Sequence, residues 1–108
     1  MPARLRIAAP DEVAAALERG DLRLLTKHFL AVLEQRAPGH SVEVRVPPYA
    51  AVQVIPGVRH TRGTPPAVIE MDAATWVALA TGELAWEDAR GVRASGERAD
   101  LSAYLPLT

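Results

Sequence analysis

Apolar positions recur at helical spacing through the first third of the chain, and the period then shortens to two. Pro10 suits the first position of a helix, and Asp11 and Glu12 sit where the positive end of the helix dipole favours carboxylates. Val13, Ala16 and Leu17 share a face, and Gly20 suits a left-handed cap, which predicts a short helix over residues 10–19. Asp21 is placed to cap a second helix. Leu22, Leu25, Phe29, Val32 and Leu33 follow at helical spacing, with Leu30 at the edge of the stripe and Arg23, Lys27, Glu34 and Arg36 opposite. Leu24 lies off the stripe and is expected beneath the first helix. Ala37 precedes proline, which pushes it out of the α region, so Pro38-Gly39 ends this helix and it covers residues 21–36.

Ser41 to Val46 then alternates, with Val42, Val44 and Val46 on one side and Glu43 and Arg45 on the other, as a strand with one wet face does. Pro47-Pro48 cannot continue a central strand. Tyr49 to Ile55 reads as a second strand with Ala50, Val52 and Val54 on one face, and Pro56-Gly57 as a turn. Residues 58–66 are polar and turn-rich, and their first half can form an edge strand. Ala67 to Met71 predicts a strand with Ile69 and Met71 inward and Glu70 outward. Asp72 is placed to cap a third helix that contains Trp76, Leu79 and Ala80 and ends at Gly82. Residues 84–90 read as a further helical turn or two, residues 92–96 as a last short strand, and Asp100 as the cap of a terminal turn through Leu101 and Tyr104. Helices, then strands, then helices and a final strand indicate an α+β domain with a mostly antiparallel sheet of about five strands, since a parallel sheet needs a crossover between nearly every pair.

Composition sharpens this picture. The 108 residues suit one domain spanning 1–108. Hydrophobic residues make up 49% and charged residues 23%, values typical of a globular chain, but twenty residues are Ala and only 5% are aromatic, so the core is thin. The formal net charge of -1 argues against a nucleic-acid partner. Without cysteine, disulfides and thiolate chemistry are excluded. No stretch approaches the ~18 apolar residues of a membrane span, and the first residues lack a secretory apolar region, so a cytoplasmic protein without stable membrane insertion is expected.

Catalytic chemistry finds little support. His28, His40 and His60 show no ligand spacing, which argues against a metal. Ser95 before Gly96 lacks the pattern of a nucleophile elbow. Glu83, Glu87 and Asp88 read as a solvated helix face. A non-enzymatic protein without cofactor is therefore expected. Arg59, His60 and Arg62 form the one basic cluster, able to meet an anion or a ligand headgroup beside the turn amides around Gly63.

From Val42 onward the chain resembles the small actinobacterial branch of the sterol carrier protein family. The resemblance lies in residues 59–66, the strand Val68-Ile69-Glu70-Met71-Asp72, the run from Trp76 through Thr81-Gly82-Glu83-Leu84 to Trp86, and Gly91-Val92-Arg93-Ala94-Ser95-Gly96 leading into Ala99-Asp100-Leu101. The helix of residues 21–36 fits the family's leading helix. Such resemblance implies a five-stranded, largely antiparallel sheet with helices over one face and an apolar tunnel for a fatty acyl or sterol-like lipid. Val44, Val52, Val54, Ile69, Trp76, Leu79, Leu84 and Trp86 are the expected lining. The same fold is similar to accessory domains fused to thiol-dependent isomerases, so a non-catalytic interaction module with a collapsed cavity is the alternative. That alternative implies a protein partner and an exposed apolar patch near Leu105 and Leu107.

Two further expectations follow. The reduced C-terminal cover and a Pro47-Pro48 break in the first hairpin would limit the tunnel. A dry pocket of ~300 Å³ would cost about 7 kcal/mol, against a total stability of ~5–15 kcal/mol. Partial collapse of the helices onto the sheet is therefore expected in the free protein.

Overall fold

A computed structural model describes residues 5–57, 67–96 and 99–108. Its elements run α1 (Pro10–Arg19), α2 (Leu22–Arg36), β1 (Val42–Val46), β2 (Ala50–Val54), β3 (Ala67–Glu70), α3 (Ala73–Thr81) and β4 (Arg93–Ser95), with 3-10 turns at Trp86–Asp88 and Ser102–Tyr104. The fold is α+β. No helix among the described residues is long and apolar enough to cross a membrane.

The helix boundaries follow from local chemistry. Gly20 closes α1 in the left-handed conformation at φ 69°, a region that costs side-chain-bearing residues more. Asp21 accepts from the Leu24 amide at 3.0 Å and Asp72 from the Thr75 amide at 2.7 Å, each satisfying one orphan donor of a first turn. Those amides hold both carboxyls below their ordinary range. Ala16 is fully buried and accepts from the Asp21 amide at 2.9 Å, so α1 folds back against α2. Leu24 is half-buried and packed on the core.

The sheet order is β2-β1-β3-β4. β1 pairs antiparallel with β2, and β3 antiparallel with β4, while the central pair β1–β3 is parallel. The mostly antiparallel, roughly five-stranded expectation thus meets a four-stranded mixed sheet among the described residues. The expected edge strand after Val58 lies outside them. Parallel neighbours cannot share a tight turn; here the chain leaves β1 through β2 before β3 is laid down on β1's other side. Pro47-Pro48 does not break the first hairpin. The prolines stand in the connection, the Tyr49 amide donates to Val46 O at 3.0 Å, and Val46 lies opposite Ala50. Proline's missing donor is harmless there, because turn residues owe the ladder nothing.

Val42, Val44, Val46, Val54 and Ile69 are fully buried on one sheet face, beneath Leu25, Phe29, Leu30, Leu33, Trp76 and Leu79 of α2 and α3. Glu43, Arg45, Gln53 and Glu70 stand on the opposite face, where Arg45 pairs with Glu43. Among the described residues one non-glycine backbone position is strained. Ile55, just past β2, adopts φ 71°, unusual for a β-branched residue. It is held there by its amide donating to Ala37 O at 2.6 Å and by its carbonyl accepting from the Ser41 amide at 3.2 Å and hydroxyl at 2.7 Å. Gly39 is required beside it, because a Cβ there would lie 2.1 Å from the Ile55 carbonyl oxygen.

Candidate functional site

The C-terminal end of α3 builds a largely apolar concavity within the resemblance motif. Thr81 bonds back to Val77 O at 2.9 Å, Gly82 turns the chain at φ 87°, and the Leu84 amide donates to Ala78 O at 3.2 Å. With the Gly82 amide donating to Leu79 O at 3.3 Å, this left-handed exit satisfies two orphan carbonyls. The C-terminal tail satisfies two more: the Leu107 amide donates to Ala80 O at 2.8 Å and the Thr108 hydroxyl to Thr81 O at 3.4 Å. The tail is thereby pinned across the end of α3. Between it and the 3-10 turn that begins at Trp86 lies a pocket of about 230 Å³ walled by Leu79, Leu84, Trp86, Leu105 and Pro106, with Glu87 and Ser102 at its margin.

The eight residues expected to line a tunnel divide into two groups. Val44, Val54, Ile69 and Trp76 are wholly buried, and Val52 nearly so. They belong to one continuous cluster of buried side chains between sheet and helices. The Trp76 indole N–H donates to Thr26 O of α2 at 3.3 Å, which locks α3 to α2. Leu84 and Trp86 are half-buried and face the pocket at the tail. Leu79 belongs to both settings: it is 1% exposed within the core and also forms the floor of that pocket. The two indoles therefore do not converge on one cavity. The proposed headgroup residues Arg59, His60 and Arg62 lie outside the described residues.

Leu105 and Pro106 are pocket walls that the sequence pattern did not indicate. Leu107 is 3% exposed and Leu105 half-buried, so the apolar patch expected there is not exposed. The cause is the tail's bond to α3, which turns Leu107 inward.

Two further concavities differ in chemistry. One of about 520 Å³ lies where residues 5–7 pass the C-terminal end of α2, lined by Leu5, Ile7 and Ala31 together with Glu34, Gln35 and Gln53. His40 Nδ1 and Gln53 Oε1 meet at 3.0 Å on its rim. The other, about 330 Å³, is a shallow groove on the wet face of the sheet beside Pro47, Pro48, Tyr49 and Arg45. Among the described residues, no group of three or more His, Asp or Glu is placed to hold a metal ion.

A family model described as "Bacterial SCP ortholog" matches residues 18–107. The chain belongs to this sterol carrier protein-like family. No curated protein matches the chain. The match takes in α2, all four strands, α3 and the pocket at the tail, whereas residues 5–17, which include most of α1, precede it. In this sterol carrier-like protein the layers between which a tunnel was expected are meshed among the described residues, and an apolar opening lies instead at the corner beside Trp86.

Proposed function

We propose that the protein binds an apolar ligand, a fatty acyl or sterol-like lipid, without catalysing its conversion, and that the ligand enters at the pocket of Leu79, Leu84, Trp86, Leu105 and Pro106. Family membership supports the ligand class. The observation that carries the site is Leu79, a single side chain that separates this solvent-reached pocket from the closed core. At about 230 Å³ the pocket is smaller than the ~300–1,000 Å³ of ordinary small-molecule sites. It takes the end of a chain, and a whole lipid requires α3 and the tail to part from the sheet behind Leu79. The ligand's own apolar surface replaces the contacts that such parting breaks, so opening accompanies binding and does not precede it.

Native mass spectrometry of gently purified protein tests this directly, with bound lipid as the expected result. In solution, long-chain fatty acid should change tryptophan emission in the wild type; in the Trp86→Phe variant a short-chain acid confined to the pocket should leave emission nearly unchanged, whereas a chain long enough to part α3 from the sheet should change the emission of Trp76. No adduct, and no emission change with fatty acids, acyl thioesters or sterols, would reject the carrier reading. The second reading, an accessory module with a collapsed cavity, is supported by the meshed core around Trp76; it requires a stable complex with a protein partner from the native host.

A further inference from the structure

Within α2 one titratable side chain is buried. His28 is 9% exposed, and its ring meets Phe29 edge-on with centroids 4.8 Å apart. Its Nδ1 accepts a hydrogen bond from the Ala8 amide at 2.9 Å. A main-chain N–H can only donate, so Nδ1 carries no proton and the ring is neutral, with its hydrogen on Nε2.

Ala8 is itself buried and sits in residues 5–9, a stretch without helix or strand that precedes α1. Its neighbours Leu5 and Ile7 form one wall of the 520 Å³ concavity against Ala31 and Glu34 of α2. Ile7 is 41% exposed, and the apolar burial of this stretch is confined to half-buried Leu5 and the small side chain of Ala8. The Ala8–His28 bond is the hydrogen bond that ties it to α2 among the described residues. α1 is fixed separately, through buried Ala16 and the cap bonds at Gly20 and Asp21. Residues 5–8 can therefore leave α2 while Ala9 stays in place as the N-cap of α1, its carbonyl accepting from the Val13 amide at 3.0 Å and its amide donating to Glu12 Oε1 at 3.1 Å.

We propose that residues 5–8 form a strap over the C-terminal half of α2, closed while His28 Nδ1 carries no proton and released when that nitrogen is protonated. Protonation makes both ring nitrogens donors, so two N–H groups face each other where one bond stood. The Ala8 amide is then buried without a partner, which disfavours the closed state, and a charged ring occupies a largely buried position. Release relieves both, and it opens the Leu5 and Ile7 wall of the concavity.

The electrostatic surroundings do not oppose this. On the described elements packed against α2, the charges are Arg6 on the strap and Asp11, Glu12, Glu18 and Arg19 on α1, while β2 and α3 carry none. α2 itself carries Arg23, Lys27, Glu34 and Arg36. Arg6 pairs with Glu12 at 3.5 Å and Arg19 with Asp21 at 2.9 Å. Burial pushes the His28 imidazole below its ordinary value of 6.5, with no charge compensating it. The sign follows: the unfolded or released ring binds its proton more readily than the closed one. Closure is fully favoured above the ordinary value and weakens as pH falls through the lowered one.

Amide hydrogen exchange at Ala8, corrected for the intrinsic pH dependence of exchange, reads the strap directly. Protection of Ala8 should fall about tenfold or more as pH is lowered from neutrality through the range, below the ordinary 6.5, in which His28 takes up its proton, while the Val44 amide in β1 stays protected. His28→Asn places a non-titrating oxygen near the position of Nδ1 and should keep Ala8 protected at low pH. His28→Leu should leave Ala8 unprotected throughout, and if that variant does not fold the asparagine variant carries the test. Unchanged Ala8 protection through the ring's titration, followed by its proton resonances, would overturn the proposal. So would a ring that stays neutral as pH is lowered, or an asparagine variant that loses protection with the wild type's pH profile.

Discussion

Trp76 and Trp86 bracket the same family motif and occupy opposite surroundings. Trp76 is sealed between α2, α3 and the sheet, with its one polar atom bonded to a main-chain carbonyl. Trp86 stands half-exposed in a 3-10 turn and forms the wall of a small pocket. A buried indole with a satisfied N–H fixes how two helices meet. One left partly in water contributes less to stability and remains available to a guest. Rigidity and openness have been assigned to different corners of the protein, with Leu79 at the boundary between them.

The largest effect should separate the two indoles. Trp76→Ala removes a fully packed side chain and leaves a cavity, at about 3–5 kcal/mol, a large share of a domain's ~5–15 kcal/mol. Trp86→Ala should cost about 1–2 kcal/mol, since half its area is already wet. Chemical denaturation of both variants measures the difference. Equal losses would show that the corner is as tightly packed as the interior, and the comparison would fail.

The tail gives a sharper version at closer range. Leu107 is buried and its amide caps α3, whereas Leu105 is half-buried and lines the pocket. Leu107→Ala should cost about 2–3 kcal/mol, and Leu105→Ala about 1 kcal/mol. If Leu105 proves the costlier, the tail is held by its contact with the pocket and not by its bonds to α3, and opening at Leu105 would detach it.

Much of this architecture was legible because local chemistry decides it. Pro10, Gly20, Asp21, Asp72 and Gly82 act within a turn of their own position, and the alternating valines need only a sheet face to point toward. The parallel pairing of β1 with β3 was not legible, because nothing inside Val42–Val46 or Ala67–Glu70 records which neighbour lies alongside. Nor was the hairpin at Pro47-Pro48: reading prolines as breakers fails where they occupy the turn itself. The division of the eight candidate lining residues between core and pocket was hidden for a similar reason. It depends on how closely α3 approaches the sheet, which the identities of Trp76 and Trp86 leave open. Leu105, Pro106 and His28 became visible only through long-range bonds, from the tail to α3 and from Ala8 to α2.

The smallest predicted effect probes the closed side of the comparison from within. Thr26 is fully buried on α2, beside the carbonyl that holds the Trp76 indole, and its Oγ1 has no partner among the described residues. A buried hydroxyl without a partner costs more than a methyl of the same shape. Thr26→Val keeps the branching and nearly the volume while removing the oxygen, and the two residues have similar helix propensity. The variant should be more stable by about 1 kcal/mol, seen as a rise in Tm of roughly 4 °C. Lower stability would mean that the hydroxyl finds a partner in solution, a water lodged beside Trp76. A water there would show that the helix–sheet interior is not sealed, and Trp76 would then join Trp86 on the open side.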